Sequence, residues 1–261
     1  MGDLQGSVLV CDFVGRRAQA PVSALGLETR GFTVHNLLTS PYPRELTAAG
    51  YADQLWRRHG PFGADVRAVL AYCAAAPIAQ EVAATLHART GVPVPLVLFD
   101  GEPATAAAVQ AEYLLAAGKL GELLGVDPAH RTPPAVDPGD LRVRPQQVRQ
   151  RMFEGLLELG DRASRDGSVD PATARAEAEM FATYYLDWLS HLIAGHNASW
   201  PAWGGPAVQI VSRHHESGAE WPGASHTETI RIAAERDDLL RHPEVAAAVL
   251  SILRRENCRA S

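Results

Sequence analysis

Short apolar runs alternate with longer amphipathic stretches along the first hundred residues. Four of these runs are rich in β-branched residues and are predicted strands: 7–13, 32–37, 66–72 and 94–99. Between them, residues 45–58 carry apolar side chains at helical spacing, and a helix is predicted to run from Pro77 to about Thr90, where Gly91 stops it. Apolar strands that alternate with helices predict a parallel sheet buried on both faces.

The middle of the chain has a different pattern. Three helices are predicted there, separated by a Pro-rich break at 127–145: 104–124, 146–160 and 171–194. Strands are predicted again at 207–212 and 229–233, and a helix at 243–254 closes the chain. We therefore expect a single domain over residues 1–261 with a helical lid inserted at about 102–203. A separate helical domain is the alternative, which the return of strands disfavours.

Composition excludes several classes of function. The chain has 261 residues and a net charge of −6 without a basic cluster, which argues against nucleic acid or a membrane surface as partner. No apolar run approaches the roughly 18 residues of a transmembrane helix. With no leader pattern either, we expect a cytoplasmic protein, and the scarcity of lysine suggests a bacterial gene rich in G and C. The three cysteines show no spacing typical of disulfides or zinc, so neither a metal nor a cofactor is expected.

One cysteine stands where a predicted strand meets a predicted helix. Residues 71–75 read Ala-Tyr-Cys-Ala-Ala, with Cys73 in the middle. A nucleophile on a tight strand-to-helix turn is the nucleophile elbow of α/β hydrolases, whose usual pattern is G-x-S-x-G. The turn leaves little room for side chains on either side of the nucleophile. Alanine is the next smallest residue after glycine, so it meets this requirement less strictly than glycine does. The alternative is an incidental cysteine in a buried strand.

The chain as a whole resembles the α/β-hydrolase thioesterases of polyketide and nonribosomal peptide assembly lines. Residues 11–15 (CDFVG) lie where that family has its oxyanion loop, with Arg16 in place of the second glycine. The resemblance implies that the backbone N–H groups of Val14 and Ala74 bind the oxyanion. It also implies an α/β-hydrolase fold, a mainly parallel sheet with helices on both faces and a helical lid.

The resemblance further implies an acid at Asp100. Residues 81–86 and 96–100 match the family's run "E-V-A-x-x-L … L-V-L-x-D", which ends in the acid of the catalytic triad. An aspartate at this position could instead cap the turn with Gly101.

The family's general base is missing. Alignment on residues 239–245 places Arg236 where the family has a histidine, and a guanidinium cannot accept a proton at working pH. His214, His215 and Glu216 follow a predicted strand and are candidates for a replacement base or an electrostatic role. The alternative is that they form a solvated surface loop.

A cysteine nucleophile changes the chemistry that is required. A helix N-terminus and a nearby arginine lower a thiol's pKa, so we expect a Cys73 thiolate that exchanges readily with thioesters. Water needs a general base before it can hydrolyse the acyl-cysteine intermediate, and the matched position lacks one. Acyl transfer, cyclisation or release is therefore favoured over simple hydrolysis. The partner that the resemblance implies is an acyl or peptidyl carrier protein with a phosphopantetheine-linked substrate. Two alternatives remain: a catalytically silent scaffold that binds an acyl chain or carrier protein, and a non-covalent cyclase or dehydratase on the same fold.

Overall fold

A computed structural model describes residues 6–14, 19–165, 169–216, 218 and 220–259. The chain divides into two compact units. The first comprises the residues up to 42, 48–103 and those from 198 onward, and the second comprises 43–47 and 104–197. The two units are described separately below.

A six-stranded sheet forms the centre of the first unit. In chain order its strands are β1 Ser7–Cys11, β2 Thr33–Asn36, β3 Val66–Tyr72, β4 Leu96–Phe99, β5 Ala207–Val211 and β6 Thr227–Arg231. They are arranged β2-β1-β3-β4-β5-β6, and every neighbouring pair is parallel. The predicted parallel sheet is confirmed, and the carboxyl ends of all six strands meet at one edge.

Both faces of the central strands are buried. Side chains on a strand alternate between the two faces. One face of β1, β3, β4 and β5 shares a core with α7 (Pro243–Arg259), in which Val249 and Leu253 are buried. The opposite face, with Leu9, Val69 and Leu98 fully buried, packs against α2 (Ala76–Thr90), and α1 (Ala48–His59) packs on α2.

The second unit is helical. It contains α3 (Ala106–Leu123), α4 (Pro138–Val143), α5 (Pro145–Arg165) and α6 (Pro171–His196). The prediction of a Pro-rich break without a helix at 127–145 was wrong in one respect, because this segment contains α4. The Asp137 side chain caps that helix by accepting from the N–H groups of Gly139 and Asp140, and Pro138 fits its first turn. The role of these helices as a lid stays a prediction. Among the described residues, no helix is both long and apolar enough to span a bilayer.

His191 lies fully buried on α6, stacked on Trp188 with ring centroids 5.4 Å apart. Burial lowers the pKa of His191 to about 3, below the 6.5 of an exposed histidine. The unfolded chain therefore takes up this proton more readily, and the free energy of unfolding falls as the pH drops from about 6.5 towards 3.

We expect His191→Leu to flatten that pH dependence by about 1.4 kcal/mol per pH unit, the contribution of one proton. Urea unfolding of the whole chain followed by circular dichroism, between pH 7 and pH 4, measures the effect. His130→Leu, which changes an exposed histidine of the same unit, should leave the dependence as it is. An equal slope in His191→Leu and the unchanged protein would contradict a neutral buried imidazole.

Candidate active site

Cys73 occupies a strained turn at the carboxyl edge of the sheet. β3 ends at Tyr72, Cys73 has φ +52°, and a 3₁₀ turn over Cys73–Ala75 leads into α2. A cysteine adopts left-handed backbone at a cost of about 1 kcal/mol or more. The flanking Ala71 and Ala75 are buried, which agrees with the small side chains that the turn needs. The predicted strand, cysteine and helix therefore form a tight elbow.

The Cys73 sulfur is held between a carboxylate and a guanidinium. Its Sγ lies 2.9 Å from Glu102 Oε1 and 2.9 Å from Arg236 Nη2. Arg236 Nη2 also donates to Glu102 Oε1 at 3.1 Å, so the three side chains form a closed triangle. The sequence alignment placed Arg236 near Cys73, and the structure brings the two into contact. Arg236 begins a 3₁₀ helix, Arg236–Arg241, that follows β6.

The electrostatic balance at Cys73 favours the neutral thiol. Burial raises the pKa of Cys73 to about 12, assisted by the charge and the hydrogen bond of Glu102, while Arg236 and the Ala74 N–H lower it less. The expectation of a resting thiolate was therefore wrong, first because Cys73 is largely buried and second because it lies beside the Glu102 carboxylate. Partial burial raises the pKa of Glu102, but the hydrogen bonds from Cys73 and Arg236 outweigh it and hold that pKa below its usual range. Glu102 is accordingly a carboxylate that accepts a hydrogen bond from the thiol.

Asp100 directly follows β4, next to the end of β3, and its carboxylate accepts two hydrogen bonds from Ser212. The residue is 0% exposed and has φ +42°. Its two oxygens accept from the Ser212 N–H at 2.8 Å and from the Ser212 hydroxyl at 2.9 Å. Arg236 Nε lies 3.9 Å from Asp100 Oδ2, so one guanidinium contacts both predicted catalytic residues.

The three residues of the loop after β5 have different surroundings. The His215 side chain is 7% exposed, its Nδ1 lies 3.8 Å from Asp100 Oδ1, and its buried Nε2 has no hydrogen-bond partner among the described residues. His214 is 76% exposed and lies 3.8 Å from Glu235. Glu216 is exposed. Of the candidate bases, only His215 is thus held against the acid of the site.

The two predicted oxyanion donors differ in availability. The Ala74 N–H interacts with the Cys73 sulfur. The Val14 N–H donates to the Asp12 carbonyl at 3.1 Å and would have to leave it to bind an oxyanion. Arg16, the notable departure in that loop, lies outside the described residues.

Sequence reasoning did not identify Glu102. The residue comes two positions after Asp100, and its N–H donates to the Cys73 carbonyl at 3.4 Å, which ties the loop after β4 to the elbow. A second acidic residue just past the end of a buried strand was the available signal. Among the described residues, no cluster of three or more histidine, cysteine or acidic side chains could hold a metal ion.

Glu102 should suppress the chemical reactivity of Cys73. We expect Glu102→Gln to raise the rate of Cys73 alkylation by iodoacetamide at pH 8 by about tenfold, since one pKa unit changes the thiolate fraction tenfold. Arg236→Gln should lower the rate, because it removes the guanidinium that lies 2.9 Å from the sulfur and lowers the pKa of the thiol. Peptide mass spectrometry resolves Cys73 from the other cysteines. Glu216→Gln is the matched control at an exposed carboxylate, and slower alkylation in Glu102→Gln would contradict the assignment.

Comparison with solved structures finds similarity at low sequence identity. No family model and no curated protein sequence matches the chain. The chain is similar to the Vlm2 thioesterase domain at 16% identity, covering 95% of this chain and 93% of that one, with a TM-score of 0.48. RedJ, the thioesterase of prodiginine biosynthesis in Streptomyces coelicolor, is 14% identical over 96% of this chain and 90% of that one, with a TM-score of 0.48.

A larger protein gives a higher TM-score. AB3403, a four-domain nonribosomal peptide synthetase bound to AMP and glycine, is 14% identical with a TM-score of 0.52; the match covers 96% of this chain and 19% of that one. Together with the parallel sheet, this similarity confirms the predicted fold class, a mainly parallel α/β sheet with helices on both faces. The similarity is one of fold alone.

Proposed function

We propose that the protein is a thioesterase-like enzyme of natural-product biosynthesis that takes an acyl group from a carrier-bound thioester onto Cys73. The observation that carries the proposal is the 2.9 Å contact between the Cys73 sulfur and the Glu102 carboxylate at a strained strand-to-helix turn. It pairs a nucleophile with a proton acceptor. The fold supports the class of enzyme.

In the first step the Cys73 proton moves to Glu102. The transfer removes the negative charge that raises the thiol's pKa and leaves Arg236 beside the new thiolate. The sulfur then attacks the thioester carbonyl. When the tetrahedral intermediate collapses, the bond to the carrier's thiol breaks, and Glu102 returns its proton to that leaving sulfur.

The negative charge on the tetrahedral oxygen needs donors close to Sγ. The Ala74 N–H is one such donor. Arg236 Nη2, at 2.9 Å from Sγ, is a second donor that does not depend on the loop at Val14. Arg236 therefore takes an electrostatic role where the resembling family has a base.

The second step determines the product. Glu102 supplies the proton acceptor that seemed to be missing, so hydrolysis has a route. A carboxylate whose pKa is held low is a weak base towards water, whereas an amine or a thiol attacks with less assistance. Acyl transfer, cyclisation or release accordingly remains the proposed outcome, with an acyl or peptidyl carrier protein as partner, in the cytoplasm.

The test is intact-mass spectrometry of the protein after incubation with a panel of acyl-loaded carrier proteins. An acyl adduct, or a released product, supports the proposal. Carrier binding with neither adduct nor product would instead favour the catalytically silent scaffold. In that case the raised pKa of Cys73 would keep the thiol neutral and unreactive. Turnover that survives removal of the sulfur would favour a non-covalent cyclase or dehydratase.

Arg236→His should shift the product towards hydrolysis. The substitution places an imidazole at a position whose present side chain contacts both Asp100 and Cys73. Because a neutral imidazole accepts a proton from water, we expect thioester hydrolysis to rise by about 10²-fold or more. Thiol release from an acyl thioester measures it, and Arg241→His, at an exposed position of the same 3₁₀ helix, is the control. Unchanged hydrolysis would mean that Asp100, held by Ser212, does not orient the new ring.

A further inference from the structure

The helical unit contains a cavity of about 190 Å³ that no step of the proposed reaction uses. It lies between α3, α5 and the Pro-rich segment that precedes α4. Buried Tyr113, Val148 and Met152 form its floor. The exposed Pro134, Ala135, Arg151, Glu154 and Glu158 line its mouth. A dry cavity of about 150 Å³ accepts benzene, so this one has room for a substituted ring.

The floor of the cavity carries one hydrogen-bonding group. Tyr113 is 2% exposed, and its side chain lines the cavity. Burial, assisted by the charge of Glu158, raises the pKa of Tyr113 to about 12, so the hydroxyl keeps its proton. A largely apolar pocket with one or two polar groups is the usual form of a small-molecule site.

The local sequence keeps this hydroxyl accessible. Gly155 lies within the 21-residue helix α5, where glycine costs about 1 kcal/mol relative to alanine. A Cβ at that position would collide with the Tyr113 hydroxyl. On the other side, the Val136 N–H donates to Gln110 Oε1 at 2.6 Å and fixes the Pro-rich segment to α3.

The mouth of the cavity carries one carboxylate, Glu154, that forms no ion pair among the described residues. Arg151 pairs with Asp140 at 2.7 Å, and Glu158 pairs with Arg162 at 3.3 Å. Glu154 accepts a hydrogen bond only from the neutral amide of Gln150, at 2.9 Å, and no cation of the described chain forms an ion pair with it. Glu154 is therefore available to an ammonium group, whereas Arg151, the cation of the mouth, is already paired with Asp140.

We propose that this cavity binds a small arylalkylamine, with its ring against Val148 and Met152, its ammonium group at Glu154 and a ring hydroxyl at Tyr113. The site is separate from the chemistry at Cys73, and the proposal does not rest on it.

The test titrates the full-length protein with a matched series of probes by calorimetry. Phenethylamine, 2-phenylethanol and phenylacetate share a ring and differ in charge, and tyramine adds the ring hydroxyl. We expect a Kd of about 1 mM or below for the amines and binding at least tenfold weaker for phenylacetate. Tyramine should bind about three- to tenfold more tightly than phenethylamine, and Tyr113→Phe should abolish that difference while phenethylamine binding is kept.

Two exposed alanines of the same segment provide a matched control. Ala135→Phe fills the mouth and should prevent amine binding, whereas Ala129→Phe, outside the cavity, should not. Cys73→Ala should bind the amines as the unchanged protein does, which separates this site from the active site. Absence of amine binding, equal affinity for phenylacetate, or equal binding in Ala135→Phe would each overturn the proposal.

Discussion

Cys73→Ala should form no acyl adduct with any carrier-bound substrate, and its turnover should fall to the uncatalysed level. The reason is that the bond to the acyl group is made by the sulfur itself, so no other group compensates for its loss. The expected loss is complete within detection. Intact-mass spectrometry, followed by peptide mapping, measures both the adduct and its position.

The control for this experiment is the other described thiol. Cys11 lies fully buried on β1, where burial, followed by the charge of Asp12, raises its pKa to about 12. Cys11→Ala should keep the adduct, since a thiol enclosed in the core has no access to a carrier arm. An adduct that persists in Cys73→Ala would contradict the assigned nucleophile.

Glu102→Gln should have the second largest effect, with opposite consequences for the two halves of the reaction. Loss of the carboxylate lowers the pKa of the Cys73 thiol, so the thiol gives its proton to solvent instead of to Glu102 and acylation continues. Transfer from the acyl enzyme loses its proton acceptor, and turnover should fall by about 10²- to 10⁴-fold while acyl-Cys73 accumulates. Stopped reactions analysed by intact mass give the acylated fraction, and product release gives the turnover.

The matched control is Glu216→Gln, which removes an exposed carboxylate of the first unit. Its turnover should be unchanged. If Glu102→Gln turned over at the normal rate, the proton acceptor would be another group, and His215 beside Asp100 would be the next to replace. Such a result would keep Cys73 as nucleophile and remove Glu102 from the mechanism.

The elements that depend on local pattern were predictable from the sequence. The four central strands are apolar because both of their faces are buried, and this burial produces a clear pattern in the sequence. The helix after the elbow ends at Thr90 as predicted, because Gly91 adopts the left-handed conformation that closes it. Local capping also explains the error at α4, where the proline content suggested a break but Asp137 and Pro138 begin a helix.

The chemistry of the site was less predictable, because it depends on contacts between distant parts of the chain. Arg236 was located through an alignment, whereas Glu102 reaches Cys73 only because the loop after β4 folds back onto the elbow. The pKa of a thiol reflects its burial and every charge around it, so the burial of Cys73, together with one unforeseen carboxylate, reversed the expected direction of the shift. A sequence identifies the donors and acceptors of a site more readily than it identifies their pairing.

The left-handed backbone at Cys73 bears on how this sequence would change under selection. Glycine adopts φ +52° without the strain that a cysteine bears, so substitution by glycine would stabilise the fold. In a lineage that no longer used the sulfur, replacement of Cys73 by glycine would increase stability, and this substitution would arise repeatedly by mutation. The cysteine at the elbow therefore supplies reactivity at the expense of stability, because the folded state is less stable with cysteine at position 73 than it would be with glycine.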